Sequence, residues 1–199
     1  MRHRDWVGLC LAGGQSVRFG GEKAVALLGG HPMMAWSLAA LTPVCGPVLV
    51  SASKGSRAEA LANTLGYPVI FDDPGRARGP LAGIAAGLAW AEAAGHDGLI
   101  SLPCDTPLVG SERLAALIAG LGPAPAAFAV TDDGAQGLCA VWTTRLAAPL
   151  EARLSRGDYP SVHGLLADLG AAAVHFRDAT GFRNINTSAD LALAESEIG

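Results

Sequence analysis

A glycine-rich stretch near the start of the chain carries two cations among its glycines. It reads Leu11-Ala12-Gly13-Gly14-Gln15-Ser16-Val17-Arg18-Phe19-Gly20-Gly21-Glu22-Lys23. Glycines let backbone N–H groups approach phosphate oxygens or the edge of a base. Arg18 and Lys23 would add the positive charge that a nucleotidyl transfer needs at its phosphates. An ordinary connection between a strand and a helix stays the alternative, and neither a P-loop nor a dinucleotide-binding pattern is present.

A carboxylate follows a later apolar run, within the segment Pro103-Cys104-Asp105-Thr106-Pro107. Mg²⁺ in proteins takes one or two carboxylates and completes its shell with phosphate oxygens and water. Asp105 is therefore our candidate ligand for a Mg²⁺ ion that would neutralise the phosphates. The alternative role for Asp105 is a helix cap or a turn, although Ser111 already offers a cap for the next helix. Cys104 has no basic partner in sequence, so we expect it to pack and not to act as a nucleophile.

Two further groups of polar residues flank predicted elements. Asp72 ends an apolar run, and the glycine-rich segment 79–83 lets the start of the next helix approach an anion or a polar base edge. The alternative for Asp72 is a plain turn. Asn184 and Asn186 point to one side of an extended segment and could read a polar heterocycle. Their alternative is a turn before a final helix that Thr187 or Ser188 caps.

The elements that must position these residues alternate along the chain. Apolar runs bounded by turn residues predict strands at 7–11, 48–50, 69–71, 99–102, 126–130, 138–142 and 172–176. Helices are predicted at 32–41, 57–65, 80–94, 111–119, 161–169 and 188–197. Asp133-Gly134 favours a hairpin or loop between two late strands. The pattern predicts a single Rossmann-like three-layer α/β domain, with a mostly parallel twisted sheet and helices on both faces. Ligands bind at the carboxyl ends of such strands, so we expect the loops to meet at one edge.

Composition narrows the classes of function. Of 199 residues, 50% are hydrophobic and 16% are charged, which suffices for a sizeable core. The net charge of −4 comes with no basic block, so we expect no nucleic-acid partner. No apolar run reaches the roughly 18 residues of a membrane span, and no signal-peptide core is evident, so we expect a cytoplasmic protein. The four cysteines form no CxxC pair and suggest neither a zinc site nor a disulfide framework.

The glycine-rich stretch resembles the LAGGxSxRMGxDK signature of molybdenum cofactor guanylyltransferases, within the nucleoside-diphosphate-sugar transferase superfamily. Phe19 replaces Met and Glu22 replaces Asp of that signature. The segments GPLAG at 79–83, PCDTP at 103–107 and NINT at 184–187 resemble other segments of the family. Related cytidylyltransferases usually read LAAG, so Gly13-Gly14 favours guanine.

This resemblance implies a transfer of GMP from GTP to the phosphate of molybdenum-molybdopterin. Residues 1–110 would form the nucleotide-binding part of the domain and residues 111–199 the acceptor-binding part. The implied catalytic residues are Arg18, Lys23 and Asp105, with Asp105 as the Mg²⁺ ligand. The implied nucleotide-binding residues are Leu11, Ala12, Gly13, Gly14, Lys23, Ser51, Asp72, Gly79, Pro80, Leu81 and Asp105. The implied acceptor-binding residues are Asn184 and Asn186.

Base choice and partners follow from the same resemblance. The Asp72 carboxylate can accept hydrogen bonds from the ring N–H and the exocyclic amine of guanine together, a pattern that adenine and cytosine lack. The chain departs from the family at Ser51, where an asparagine is usual, and at Tyr159-Pro160, where arginines are frequent.

The alternative functions are nucleotidyl transfer with CTP or to another phosphate acceptor, and a non-catalytic module that binds a nucleotide or pterin and delivers cofactor. The resemblance implies molybdoenzymes or their chaperones as protein partners.

Overall fold

The computed structural model describes residues 5–13, 21–71 and 79–198. Its strands are β1 (Trp6–Leu11), β2 (Leu27–Leu28), β3 (His31–Pro32), β4 (Val48–Ser51), β5 (Val69–Ile70), β6 (Gly98–Pro103), β7 (Ala126–Thr131), β8 (Gly134–Thr143) and β9 (Ala172–His175). Its α-helices are α1 (Met33–Leu41), α2 (Arg57–Leu65), α3 (Pro80–Ala93), α4 (Gly110–Gly120), α5 (Ala147–Ser155), α6 (Val162–Asp168) and α7 (Ser188–Ile198). Within these ranges, no helix is long and apolar enough to cross a membrane.

The larger sheet has seven strands in the order β5-β4-β1-β6-β8-β7-β9. Strands β5, β4, β1 and β6 run parallel, and β8 runs antiparallel to both β6 and β7. The expected hairpin at Asp133-Gly134 produces this reversal: Thr131 pairs with Gly134, whose φ of 122° favours glycine. The remaining strands, β2 and β3, form a separate two-stranded hairpin.

Helices cover both faces of the sheet, because successive side chains of a strand point to opposite faces. Cys10 and Val50 belong to the core beneath α1, α2 and α4. Leu9 and Leu49 belong to the core beneath α3, α5 and α6. The predicted three-layer α/β fold, with a mostly parallel sheet, is confirmed.

The structure departs from the sequence analysis at two helices. Ser111 does not cap α4, because Val109 and Gly110 precede it and Val109 is already helical at φ −59° and ψ −42°. The cap prediction at Ser111 was therefore wrong. Helix α5 was not predicted, since Pro149 lies in its first turn and reads as a helix breaker although that turn tolerates proline.

Candidate active site

The carboxyl ends of three parallel strands lie side by side at one edge of the sheet. Leu11 at the end of β1 pairs with Ser51 of β4 and with Pro103 of β6. Beyond the strands, the Ala12 N–H donates to the Ser51 carbonyl at 2.9 Å, and the Cys104 N–H donates to the Leu11 carbonyl at 3.0 Å. The loops that follow β1, β4 and β6 therefore start from one rim, as the strand pattern predicts.

Lys23 and Asp105 meet on this rim although 82 residues separate them in sequence. Lys23 begins a 3-10 turn, Lys23–Val25, and Asp105 lies two residues beyond the end of β6. The Lys23 Nζ lies 2.8 Å from Asp105 Oδ2, and the two side chains are 13% and 25% exposed. A cation and a carboxylate capable of binding metal thus share one partly buried position, which is the arrangement that a polyphosphate site requires.

The segment before α7 reaches the same position. The Ile185 N–H donates to the Asp105 carbonyl at 2.8 Å, and Lys23 Nζ donates to Asn186 Oδ1 at 2.6 Å. Ile185 is buried, whereas Asn184 and Asn186 on either side of it are exposed. The two asparagines therefore share one side of the segment, as expected, and Asn186 bonds Lys23 directly.

A reciprocal cap fixes the end of this segment onto α7. Thr187 Oγ1 accepts from the Asp190 N–H at 3.1 Å. In return, Asp190 Oδ2 accepts from the N–H groups of Asn186 and Thr187 at 2.9 and 2.8 Å. These bonds, led by the one from Asn186, lower the pKa of the Asp190 carboxyl. Of the two expected caps, Thr187 is the one that the structure uses.

Glu22, the residue before Lys23, binds the start of α2. Its two carboxylate oxygens accept from the N–H groups of Arg57 and Ala58, each at 3.0 Å. Ser56 Oγ accepts from the next donor, the Glu59 N–H, at 3.1 Å. Sequence reasoning treated Glu22 only as a departure from a signature and missed this contact. The spacing of Ser56 and Glu59 is typical of a helix start. It does not indicate that the distant Glu22 also binds the first N–H groups of the helix.

Ser51 lies beneath the first turns of α3. Its side chain is buried, and a Cβ built on Gly83 of α3 would lie 2.5 Å from Ser51 Oγ. The glycine therefore allows α3 to pack closely against the end of β4. The predicted role of Ser51 in nucleotide binding stays a prediction.

A cavity of about 140 Å³ opens beside the start of α3. Pro80 and Leu81, from the predicted nucleotide loop, line one side of it. Tyr159 and Pro160 line the other side. Gly79 precedes the helix with φ of 102°, a conformation that favours glycine. The start of α3 and the segment before α6 therefore line the same cavity.

The other predicted site residues divide into two groups. Gly14, Arg18 and Asp72 lie outside the described residues. Leu11 and Ala12 are buried, and the Ala12 N–H is already taken by Ser51. Their contact with a nucleotide would therefore involve other backbone atoms, whereas the neighbouring Gly13 is exposed.

Cys104 is buried beside Asp105. Burial raises the pKa of its thiol to about 12; the charge of Asp105 adds to this rise, and the charge of Lys23 opposes it. The thiol is therefore protonated at neutral pH, as a packing role requires.

The carboxylate of Asp105 fits a Mg²⁺ ion that arrives with its substrate. In the part of the chain that the structure describes, no three His, Cys, Asp or Glu side chains gather into a metal cage. Mg²⁺ does not need such a cage, since one carboxylate with phosphate oxygens and water completes its shell. Asp105 is partly exposed and lies 2.8 Å from the Lys23 ammonium, so its carboxylate could supply that single protein ligand.

Comparison with known proteins gives consistent results. The family described as MobA-like NTP transferase domain matches residues 8–173. A molybdenum cofactor guanylyltransferase of Cereibacter sphaeroides is 40% identical over 193 residues, which cover 95% of each chain. Another, from Acidiphilium cryptum (strain JF-5), is 39% identical over 188 residues, covering 94% of this chain and 92% of the relative. The fold is similar to that of molybdopterin-guanine dinucleotide biosynthesis protein A from Archaeoglobus fulgidus, with a TM-score of 0.74 at 23% identity and coverage of 96% and 98%.

Proposed function

This chain belongs to the family of MobA-like NTP transferase domains, and we propose that it transfers GMP from GTP to the phosphate of molybdenum-molybdopterin. The chain is a nucleotidyltransferase. Relatives named molybdenum cofactor guanylyltransferase are similar to it over almost its whole length. The products of the proposed reaction are the guanine dinucleotide form of the cofactor and pyrophosphate.

The observation that carries this proposal is the contact between Lys23 and Asp105. Their 2.8 Å ion pair lies where the ends of β1 and β6 meet. Loops of an open α/β sheet bind ligands at this edge. A triphosphate at the edge would find a cation for its oxygens and a carboxylate for its metal ion in one place.

The reaction needs positioned charge and no covalent enzyme intermediate. An oxygen of the acceptor phosphate forms a bond to the α-phosphorus of GTP, and the bond from that phosphorus to the bridging oxygen of the β-phosphate breaks. Negative charge grows on the leaving pyrophosphate, and Lys23 is placed to stabilise it, with Arg18 as the proposed second cation. Holding donor and acceptor together supplies the rest of the rate.

Asp105 is the proposed Mg²⁺ ligand. When bound, Mg²⁺ neutralises phosphate charge and polarises the α-phosphoryl group. Lys23 would then exchange part of its contact with Asp105 for contact with phosphate oxygens, since its ammonium sits on a flexible stem. Asn186 accepts from the same ammonium at 2.6 Å and would keep it oriented during this exchange.

Guanine would be held by Asp72, Gly79, Pro80 and Leu81, with the end of β1 and Ser51 beneath it. Of these residues, Pro80 and Leu81 line a cavity beside the first turn of α3. The acceptor would approach from the side of Asn184, which is exposed and lies one residue from the Asp105-bound Ile185.

One incubation tests the proposal. The protein is mixed with Mg²⁺, molybdopterin carrying molybdenum and either GTP or CTP, and the released pterin is analysed by mass spectrometry. We expect a mass increase of one GMP with GTP and pyrophosphate release in equal amount. A CMP adduct would show that the enzyme uses CTP and would contradict the assignment of guanine. Tight GTP binding without turnover would favour a module that delivers cofactor.

The cytoplasm is the proposed site of this activity. All four cysteines, each within the described ranges, are buried free thiols, and free thiols persist where glutathione and thioredoxin keep the compartment reducing. A molybdoenzyme or its chaperone would receive the finished cofactor there.

A further inference from the structure

Helix α2 begins at a position where parallel α/β sheets often bind phosphate. It follows β4, whose end lies beside that of β1 on the rim of the site. The first N–H groups of a helix have no partner within the helix, and its dipole favours a negative charge there. Such a helix start is an anion site for a ligand or for a side chain.

The anion at this helix start belongs to the chain itself. The Glu22 carboxylate takes the N–H groups of Arg57 and Ala58, and Ser56 takes that of Glu59. The first three donors of α2 are thereby satisfied by two side chains. Ser56 immediately precedes the helix, whereas Glu22 lies 35 positions before Arg57 in the sequence.

Glu22 also controls the backbone that carries Lys23. Its carbonyl accepts from the Val25 N–H at 3.3 Å and so opens the turn Lys23–Val25. Ala24 in that turn is buried in the same apolar core as Ala58 of α2. The Glu22 side chain and the packing of Ala24 therefore connect the turn to α2, while the Glu22 carbonyl opens the turn itself. Lys23 lies in this turn and bonds Asp105.

We propose that Glu22 is a positioning residue for nucleotidyl transfer, which holds Lys23 at Asp105 by anchoring the turn to the start of α2. This proposal rests on the proposed function for its kinetic consequence, but the placement of Lys23 can be measured without turnover. The competing explanation is that Glu22 only caps a helix, in which case any other lost cap of α2 has the same effect.

Ser56 supplies the matched control, because it caps the same helix through the N–H of Glu59. Glu22→Ala and Ser56→Ala should lower the thermal midpoint by similar amounts. We expect Glu22→Ala to lower kcat for pyrophosphate release roughly 30-fold, since small displacements of a catalytic group cost one to two orders of magnitude. The KM for GTP should change by less than about threefold, because Lys23 acts mainly on charge that develops during the reaction. Ser56→Ala should leave kcat within about twofold of the parent.

Chemical labelling gives the readout that is independent of turnover. The sequence contains one other lysine, Lys54, which is exposed and serves as an internal reference. Lys23 is only 13% exposed, so acetic anhydride should modify it slowly relative to Lys54 in the parent and in Ser56→Ala. Glu22→Ala should raise the relative rate for Lys23 at least about fivefold, as read by peptide mass spectrometry.

The outcomes separate the two proposals. Equal kcat values and equal Lys23 labelling in Glu22→Ala and Ser56→Ala would reduce Glu22 to a helix cap. Faster Lys23 labelling in Glu22→Ala, with a parent protein that never consumes GTP, would keep the positioning role and refute the proposed function. If Glu22→Ala does not fold, Glu22→Gln replaces it, and the same two measurements apply because the amide retains one acceptor oxygen.

Discussion

The N–H of Ile185 donates a 2.8 Å hydrogen bond to the carbonyl oxygen of Asp105. Asp105 follows β6 in the half of the chain assigned to the nucleotide, and Ile185 precedes α7 in the half assigned to the acceptor. The bond joins these halves at the proposed metal ligand. Because Ile185 is also buried, the asparagines beside it are held at a fixed distance from Asp105.

Removal of either member of the ion pair should abolish most of the activity. We expect Lys23→Ala and Asp105→Asn each to lower kcat/KM for pyrophosphate release by about 10²–10³-fold, the effect of losing one preorganised charge contact. The double variant should lose less than the product of the two single effects, since both groups act on one phosphate site. Lys54→Ala is the control, and full activity in folded Lys23→Ala protein would contradict the assignment.

The two asparagines should differ in kinetics although they lie two residues apart. Asn186→Ala removes the acceptor that orients Lys23 and should lower kcat about 10-fold with little change in the KM for acceptor. Asn184→Ala should instead raise the KM for acceptor. Steady-state rates with GTP and acceptor varied separately distinguish these effects. Identical kinetic changes in both variants would mean that Asn186 binds the acceptor, as Asn184 does, and does not orient Lys23.

Packing between Ser51 and Gly83 should be visible in stability. Gly83→Ala would place a methyl group 2.5 Å from Ser51 Oγ, and overpacking of this kind costs roughly 1–3 kcal/mol. In a Ser51→Ala background the cost should fall by about half. Gly87→Ala is the control, because its added methyl group would meet Leu9 and Leu99 instead. Urea unfolding of the four combinations measures this coupling, and additive free energies would refute it.

The buried thiols should make the protein less stable in alkali. Burial raises the pKa of Cys45, Cys104 and Cys139 from 9.0 to about 12. The unfolded chain loses these protons near pH 9 while the folded chain keeps them, so their contribution is complete below pH 9 and declines as the pH rises toward 12. The urea midpoint should therefore fall between pH 8 and pH 10.5, and less steeply in Cys45→Ala. An identical pH dependence in that variant would argue against a role for the Cys45 thiol.

Local signals explain why much of the fold could be predicted. Strands β1, β4 and β6 could be predicted because buried parallel strands are continuous apolar runs. In this sequence, turn residues mark the ends of those runs. Helix α2 has its predicted bounds, since Gly66 adopts the φ of 79° that ends a helix. The short hairpin of β2 and β3 could not be predicted, because two-residue strands carry no periodicity.

The site was less accessible to sequence reasoning. The strand pattern predicts that Lys23 and Asp105 share one rim, but it contains no information on which side chains touch. The bond from Lys23 to Asn186 spans 163 residues, and that from Arg57 to Glu22 spans 35. Contacts between residues so far apart depend on how the helices pack on the sheet, and no local sequence pattern indicates them.

The backbone bond between Ile185 and Asp105 also restricts how this enzyme can be recombined. A chimaera that takes residues 111–199 from a relative would bring its own equivalents of Ile185 and Asn186 to a foreign Asp105 and Lys23. Phe182 and Ile185 are both buried, so an inserted or deleted residue between them would turn one of these side chains out of the core. Grafting a new acceptor specificity therefore demands conservation of spacing in this segment, while its exposed side chains remain open to change.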